Sequence, residues 1–220
     1  GMTLGLTRGI FRHQTHFRQH AGPWSYQAAT PLHRLRGRVF AVVGLGRIGT
    51  ATAVRAQALG MEVVFYDPYV ADGYDKALGV RRVETLEELF RQAFVLSFHC
   101  PLTPETQSMV RAETIGWLPA GAYLVNTARG PVVDTRILPN ALSTGQLAGV
   151  GLDVLPQEPP RPDDPLLRAW NDPGHAAFTR LIINPHAAFY CEEGWQEMRR
   201  KGAGACRRAF QGQPLRNVVN

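Results

Sequence analysis

The sequence predicts an α/β fold: a doubly wound parallel sheet with helices on both faces. Three observations predict it. Short apolar runs suit strands buried on both sides, helical stretches separate most of them, and a Gly-rich turn lies directly between one run and the next helix.

Taken in order, residues 4–19 carry Leu6, Ile10 and Phe17 at helix-compatible spacing and predict one helix. Residues 21–31, with Gly22, Pro23 and Pro31, read as a connector. Residues 39–43 form the first strand. The turn follows, then a helix over 48–59 ended by Gly60. Residues 62–66 make the next strand, and Thr85-Leu-Glu-Glu88 is a capping box opening a helix through Gln92. Residues 94–98, 123–125, 149–154 and 181–183 supply further strands. Pro139 should kink or shorten the helix expected after Asp134. Residues 191–211 close the chain as a long helix, weakened by Gly202 and Gly204. Three parts result: an N-terminal helix and connector (1–31), a nucleotide-binding domain (32–190) and a C-terminal helix and tail (191–220).

Composition narrows the class. The chain has 220 residues, 45% hydrophobic and 19% charged, as in ordinary soluble globular proteins. No apolar run approaches the roughly 20 residues of a membrane-spanning helix, and the short stretches near Leu4 and Ile10 are broken by Arg, unlike a signal peptide. Gly1 ahead of Met2 reads as a residue left by cloning. Cys100, Cys191 and Cys206 are widely spaced, match no metal-ligand pattern and form no disulfide framework, so a reducing cytoplasm is expected and a metal is not. Residues 1–61 contain eight Arg and no acidic residue, whereas residues 62–220 carry 16 Lys and Arg against 18 Asp and Glu. Aromatic interleaving and a nucleic-acid motif are both missing, so this basic arm reads as a solvated helix, with Arg47 near a cofactor phosphate, rather than as a nucleic-acid surface.

Gly44-Leu-Gly46-Arg-Ile-Gly49 is a G-x-G-x-x-G between strand and helix. Gly44 permits the tight turn, Gly46 lets the backbone approach a pyrophosphate, and Gly49 lets helix and strand pack closely. The helix N-terminus offers free N–H groups and partial positive charge to the phosphates. Asp67 ends the next strand about 20 residues on, where a ribose-binding acid belongs. Its carboxylate would accept from the ribose hydroxyls and repel a 2′-phosphate. The cofactor expected is NAD.

Further chemistry-bearing segments follow later strands: residues 99–106, Asn126-Thr-Ala-Arg-Gly130, Asp153 with Glu158 five residues on, and Asn184-Pro-His186. Reducing a 2-keto acid needs a cation for the carboxylate, an acid for the carbonyl oxygen, and a group that holds the acid charged and oriented. Arg129, His186 and Glu158 are the residue types for these roles. Taken singly, Arg129 could instead cap a strand or bind phosphate, His186 could be structural, and Glu158 could be solvated.

Together these segments resemble the D-2-hydroxyacid dehydrogenase family, and within it the branch containing the C-terminal binding protein corepressors. The match rests on Arg36-Gly37, the Gly44 to Gly49 turn, Phe65-Tyr-Asp-Pro-Tyr69, His99-Cys100, Leu124-Val-Asn-Thr-Ala-Arg-Gly130, Leu152-Asp-Val154 and Pro185-His-Ala-Ala-Phe-Tyr190. It covers about residues 34–220. The resemblance implies a Rossmann-type cofactor domain in which Arg129 binds substrate, Glu158 orients and His186 is the acid/base. It implies cofactor contacts from Gly44, Gly46, Arg47, Ile48, Gly49, Asp67, Cys100, Pro101, Thr106, Thr127, Ala128, Arg129, Asp153 and His186, with Asp153 on the nicotinamide carboxamide. A small 2-keto or 2-hydroxy acid is the implied substrate, and the C-terminal helix is expected to return toward the substrate-domain side.

Three departures stand out. The roughly one hundred residues of substrate domain that family members begin with are expected to be mostly missing here. Phe189 stands where the corepressor branch has Trp. Residues 160–179, rich in Pro, form a longer loop. The expected function is therefore a 2-hydroxyacid dehydrogenase-like oxidoreductase represented mainly by its cofactor domain. The alternatives are an NAD(H)-responsive interaction module with little or no turnover, or a truncated fragment. A homodimer is expected, because Leu4, Leu6, Ile10 and Phe11 would otherwise form an exposed apolar patch.

Overall fold

The computed structural model describes residues 1–19, 24–216 and 218. It falls into two compact units, Gly1–Pro185 and His186–Asn220.

The first unit opens with α1 (Met2–Thr7) and α2 (Ile10–Arg18). The single helix expected over 4–19 is thus divided. Gly9 adopts a left-handed backbone with φ 63°, a conformation glycine enters without steric cost and an α-helix cannot continue through. A Cβ there would also lie 2.7 Å from the Ala29 Cβ, so glycine lets the helical corner sit against the turn at Tyr26–Ala29. Residues 21–23 of the expected connector lie outside the described residues.

After this corner come β1 (Val39–Val43), α3 (Arg47–Ala58), β2 (Glu62–Tyr66), α4 (Tyr74–Leu78), β3 (Arg81–Arg82), α5 (Leu86–Gln92), β4 (Val95–Phe98) and β5 (Ala122–Asn126). The unit ends with α6 (Leu138–Ser143), β6 (Leu147–Leu152), α7 (Pro165–Asn171), α8 (Ala177–Arg180) and β7 (Leu181–Ile183). The described strands form one seven-stranded sheet in the order β3-β2-β1-β4-β5-β6-β7. Every pairing is parallel. The chain winds outward from β1 through β2 to β3, then returns to β4 beside β1. A cleft opens at that reversal, beyond the carboxyl ends of the strands.

Both faces of the sheet are buried, as the apolar runs require. Successive strand residues point to opposite sides. Accordingly, Ala41 and Val43 join one core cluster with Leu89, Phe90 and Leu142, while Phe40 and Val42 join another with Ala53, Ala56 and Phe65. Helices α5 and α6 belong to the first layer through these residues, and α3 to the second.

Strands β1, β2 and β7 occupy the expected residues, and β4 and β5 differ at their ends by a residue or so. Strand β6 begins two residues earlier than expected and ends before Asp153, although the Asp153 N–H still reaches the Asn126 carbonyl at 3.0 Å. Thr85 caps α5 as read, its hydroxyl accepting from the Glu88 N–H at 3.1 Å. Pro139 shortens its helix: it sits in the first turn of α6, behind a 3-10 turn at Thr135–Ile137.

Two expectations are corrected. Residues 160–179 are not one extended loop but hold α7 and α8. Asp164 caps α7 by accepting from the Leu166 N–H at 2.8 Å, Pro165 occupies its first turn, and Leu166 and Ala169 are buried. The exposed patch at the N-terminus is also smaller than expected. Leu6 is only 6% exposed and Leu4 is half-buried, whereas Ile10 and Phe11 remain exposed. Helix α1 lies against β5 and β6 because β6 carries two glycines beneath it. A Cβ at Gly149 would stand 3.0 Å from a Leu6 methyl, and one at Gly151 3.1 Å from the Met2 Cβ.

The second unit is built on α9 (Glu192–Phe210), with Glu192 and Glu193 in its first turn and Arg207 and Arg208 in its last. Each charge complements the helix dipole. Gly202 and Gly204 do not interrupt it. Among the described residues, no helix is long and apolar enough to cross a membrane.

The buried seat of Leu6 makes α1 part of the domain core. Leu6→Ala should lower unfolding free energy by about 2–4 kcal/mol, the range for a buried leucine left as a cavity. Urea denaturation checks this, and a change within error would mean that α1 does not contribute to the core.

Candidate active site

The Gly-rich turn is set by contacts that a side chain would occupy. Gly44 has φ 89°, and a Cβ on it would lie 2.9 Å from the Cys100 nitrogen. A Cβ on Gly49 would fall 2.0 Å from the Gly44 carbonyl oxygen. The first turn of α3 therefore rests directly on the backbone of the β1 turn. Gly46 differs: a Cβ there would meet nothing within 4 Å, so its backbone faces open space. That combination fits a dinucleotide, which needs bare backbone on the ligand side and close packing behind it. Helix α3 leaves its first N–H groups without intrahelical partners, and Arg47 adds a guanidinium there.

Asp67, just beyond β2, is fixed before any ligand arrives. Its Oδ2 accepts from the Leu45 N–H at 2.8 Å, and its Oδ1 accepts from the Tyr69 N–H at 2.9 Å. Each carboxylate oxygen keeps a lone pair for a ribose hydroxyl. The carboxylate thus binds the Gly-rich turn to the β2 loop and faces a cavity of about 490 Å³. Gly44, Gly46, Pro68, Cys100, Pro101 and Thr106 also line that cavity, with apolar walls from Leu86 and Met109.

A second cavity of about 240 Å³ adjoins the helix N-terminus. Arg47, Ile48, Cys100, Pro101, Thr127, Ala128 and Arg129 line it. Eleven of the expected cofactor residues thus border the two cavities; Gly49 packs behind the turn, and Asp153 is buried at the end of β6. Thr106 lines the larger cavity and is also bonded within its own loop. Its hydroxyl donates to the Pro101 carbonyl at 2.7 Å and accepts from the Thr103 N–H at 2.8 Å, so it shapes the loop after β4.

Two titratable side chains of these walls, His99 and Cys100, carry no charge. Burial pushes the His99 imidazole down to about 4, and its Nε2 lies 2.9 Å from the Ser97 hydroxyl. Burial likewise pushes the Cys100 thiol up to about 11. At neutral pH both groups are neutral, and positive potential comes from Arg47 and the end of α3.

Arg129 follows β5 on a turn built by Asn126. This asparagine, fully buried, accepts from the Ala128 N–H at 3.0 Å and donates to the Arg129 carbonyl at 2.9 Å. The guanidinium is exposed, with one donated bond to the Ala128 carbonyl at 2.7 Å. A Cβ on Gly130 would lie 2.0 Å from the Leu155 carbonyl group, so the turn carrying Arg129 packs on the segment leading to Glu158. Glu158 accepts from the Leu155 N–H at 2.8 Å. Arg129 and Glu158 are therefore carried on abutting loops at the carboxyl edge of the sheet. His186 begins the second unit, with a left-handed backbone (φ 53°) and its ring edge-on to Phe189 at 6.2 Å.

Asn126, His99, Tyr69 and Glu105 also shape the site, although spacing gave them no role. Asn126 had a signal in its place between strand and Arg129. Tyr69 and Glu105 act through a contact between loops distant in sequence, and His99 through Ser97, two residues before it.

A family model described as D-isomer specific 2-hydroxyacid dehydrogenase, NAD binding domain, matches residues 1–188. The chain is similar to a glyoxylate reductase of Korarchaeum cryptofilum, 44% identical over 152 residues, which covers 69% of this chain and 43% of that protein. It is also similar to C-terminal-binding protein 1 of Caenorhabditis elegans, 34% identical over 192 residues, covering 85% of this chain and 25% of that protein. Among solved structures, D-lactate dehydrogenase from Aquifex aeolicus, complexed with NAD and lactic acid, superposes with a TM-score of 0.82 at 30% identity. That likeness covers 96% of this chain and 64% of the other. The chain spans less than half the length of either curated relative.

His99 generates a pH dependence. Above its ordinary value of 6.5, folded and unfolded chains are both neutral at this residue. As pH falls from 6.5 toward about 4, the unfolded chain takes a proton that the folded one refuses, so stability falls. The full loss would be about 3 kcal/mol. His99→Gln should flatten the decline in denaturation midpoint over this window, and an unchanged slope would show that His99 does not titrate this way.

Proposed function

The chain belongs to the D-isomer specific 2-hydroxyacid dehydrogenase family, represented by its NAD-binding domain, and from that premise we propose that it serves hydride transfer between NADH and a small 2-keto acid. The observation that carries this reading is the juxtaposition of an exposed arginine with the cofactor cleft. Arg129 lines the same cavity as Arg47 and the start of α3. A guanidinium there can take a substrate carboxylate through two parallel bonds, beside the place where a dinucleotide would lie.

Gly44, Gly46, Arg47, Ile48 and Gly49 would hold the pyrophosphate, Asp67 the ribose, and Asp153 the carboxamide. Bound NADH supplies the hydride. His186 acts as the acid that protonates the carbonyl oxygen, and Glu158 is the carboxylate that keeps an imidazole charged and oriented. Arg129 fixes the substrate carboxylate, which presents one face of the carbonyl. Glyoxylate, the substrate class in the name of the relative from K. cryptofilum, and lactate's keto form, pyruvate, are the first candidates.

A second reading is an NAD(H)-responsive binding module, favoured by the 34% identity to C-terminal-binding protein 1 over most of this chain. We also propose self-association through the exposed Ile10 and Phe11, and a cytoplasmic setting, where Cys100, Cys191 and Cys206 stay as free thiols.

NADH oxidation by the purified chain, with glyoxylate, hydroxypyruvate, pyruvate or phenylpyruvate, tests the enzyme reading. Arg129→Ala and His186→Ala should each lower turnover by about two to four orders of magnitude while NADH still binds. Loss of NADH binding in both variants would show the roles misassigned. Light scattering separates the readings further: a mass that doubles on adding NADH, without turnover, favours the binding module, and a constant monomer mass refutes self-association.

A further inference from the structure

The larger cavity is crossed at its mouth by a contact between two loops. Tyr69, on the loop after β2, donates its hydroxyl to Glu105 Oε2 at 2.5 Å, on the loop after β4. Both residues line the cavity that contains Asp67. Both are also exposed, Tyr69 at 79%, and an exposed pair normally contributes little because two free side chains must be immobilised.

Here the two arms are already held. The Tyr69 N–H donates to Asp67 Oδ1 at 2.9 Å, and Arg82 donates to the carbonyls of Asp67 and Val70 at 3.3 and 3.0 Å. On the other arm, Thr106 ties Pro101 to Thr103, and the Ser108 N–H reaches the Pro131 carbonyl at 2.9 Å. Pro68 and Pro104 fix their own φ and restrict Asp67 and Thr103 before them, which stiffens the backbone leading to Tyr69 and Glu105. The bond therefore spans two pinned supports, and its entropic cost is small. The carboxylate also holds the phenol in its donating, protonated form, with its pKa raised.

We propose that Tyr69 and Glu105 form a clasp over the adenosine end of the cofactor, positioning residues that set how fast NAD(H) leaves. The inference rests on the reading that this cavity takes the adenosine half of the cofactor. Because Tyr69 is tied through its own N–H to the ribose-reading carboxylate, opening the clasp loosens the loop that carries Asp67. Release requires that opening.

Stopped-flow displacement of NADH from the full chain tests the clasp. Tyr69→Phe and Glu105→Ala should each speed release by about three- to tenfold, the scale of one hydrogen bond. The double variant should be no faster than either single one, since both remove the same bond. Glu105→Gln keeps an acceptor oxygen and should restore release to near the wild-type rate. Equal release rates in wild type and Tyr69→Phe would overturn the clasp alone. Failure of the wild type to bind NADH would overturn the cofactor reading of the cavity and the clasp with it.

Discussion

Three stretches of backbone meet at the reversal of strand order more closely than any side chain would allow. The turn after β1 presses on Cys100 through Gly44, and the first turn of α3 presses on Gly44 through Gly49. Everything at the cofactor end of the sheet depends on this contact. It aims the N-terminus of α3 across the cleft, leaves Gly46 bare to a ligand, and sets the loop after β4 as the opposing wall. Asp67 reinforces it with a bond to the Leu45 N–H, so the carboxylate that faces the larger cavity also braces the Gly-rich turn. A ligand entering such a site meets donors already in place, which spares it the cost of ordering them.

The same economy shapes the electrostatics. Two titratable side chains, His99 and Cys100, line both cavities, yet burial keeps both uncharged. Positive charge at the smaller cavity then comes from Arg47, the end of α3 and Arg129. The exposed Arg129 is carried on a turn organised by buried Asn126, and its guanidinium donates to the Ala128 carbonyl of that turn.

Glycine also decides how helices approach the sheet. Gly9 turns α1 away from α2, and Gly149 and Gly151 give α1 a shallow seat on β6. These positions explain why the N-terminal segment is less exposed than its apolar pattern suggested. A leucine facing a glycine several strands away has no local signature. The Pro-rich segment before β7 shows the converse, since Asp164, Pro165 and the buried Leu166 were local helix-start signals masked by the surrounding prolines.

By itself, the sequence determined the parallel sheet, the Gly-rich turn and the Asp67 position, because each follows from local rules: strand burial, helix entry and spacing along one βαβ unit. Residue types likewise marked Arg129, Glu158 and His186 as candidates. Only the tertiary structure decided which loops abut, that Gly130 brings the Arg129 turn onto the segment before Glu158, and that Tyr69 reaches Glu105. Those outcomes depend on distances between residues far apart in the chain. Such distances are set by how closely backbones pack once the sheet has formed, and no single stretch of sequence encodes them.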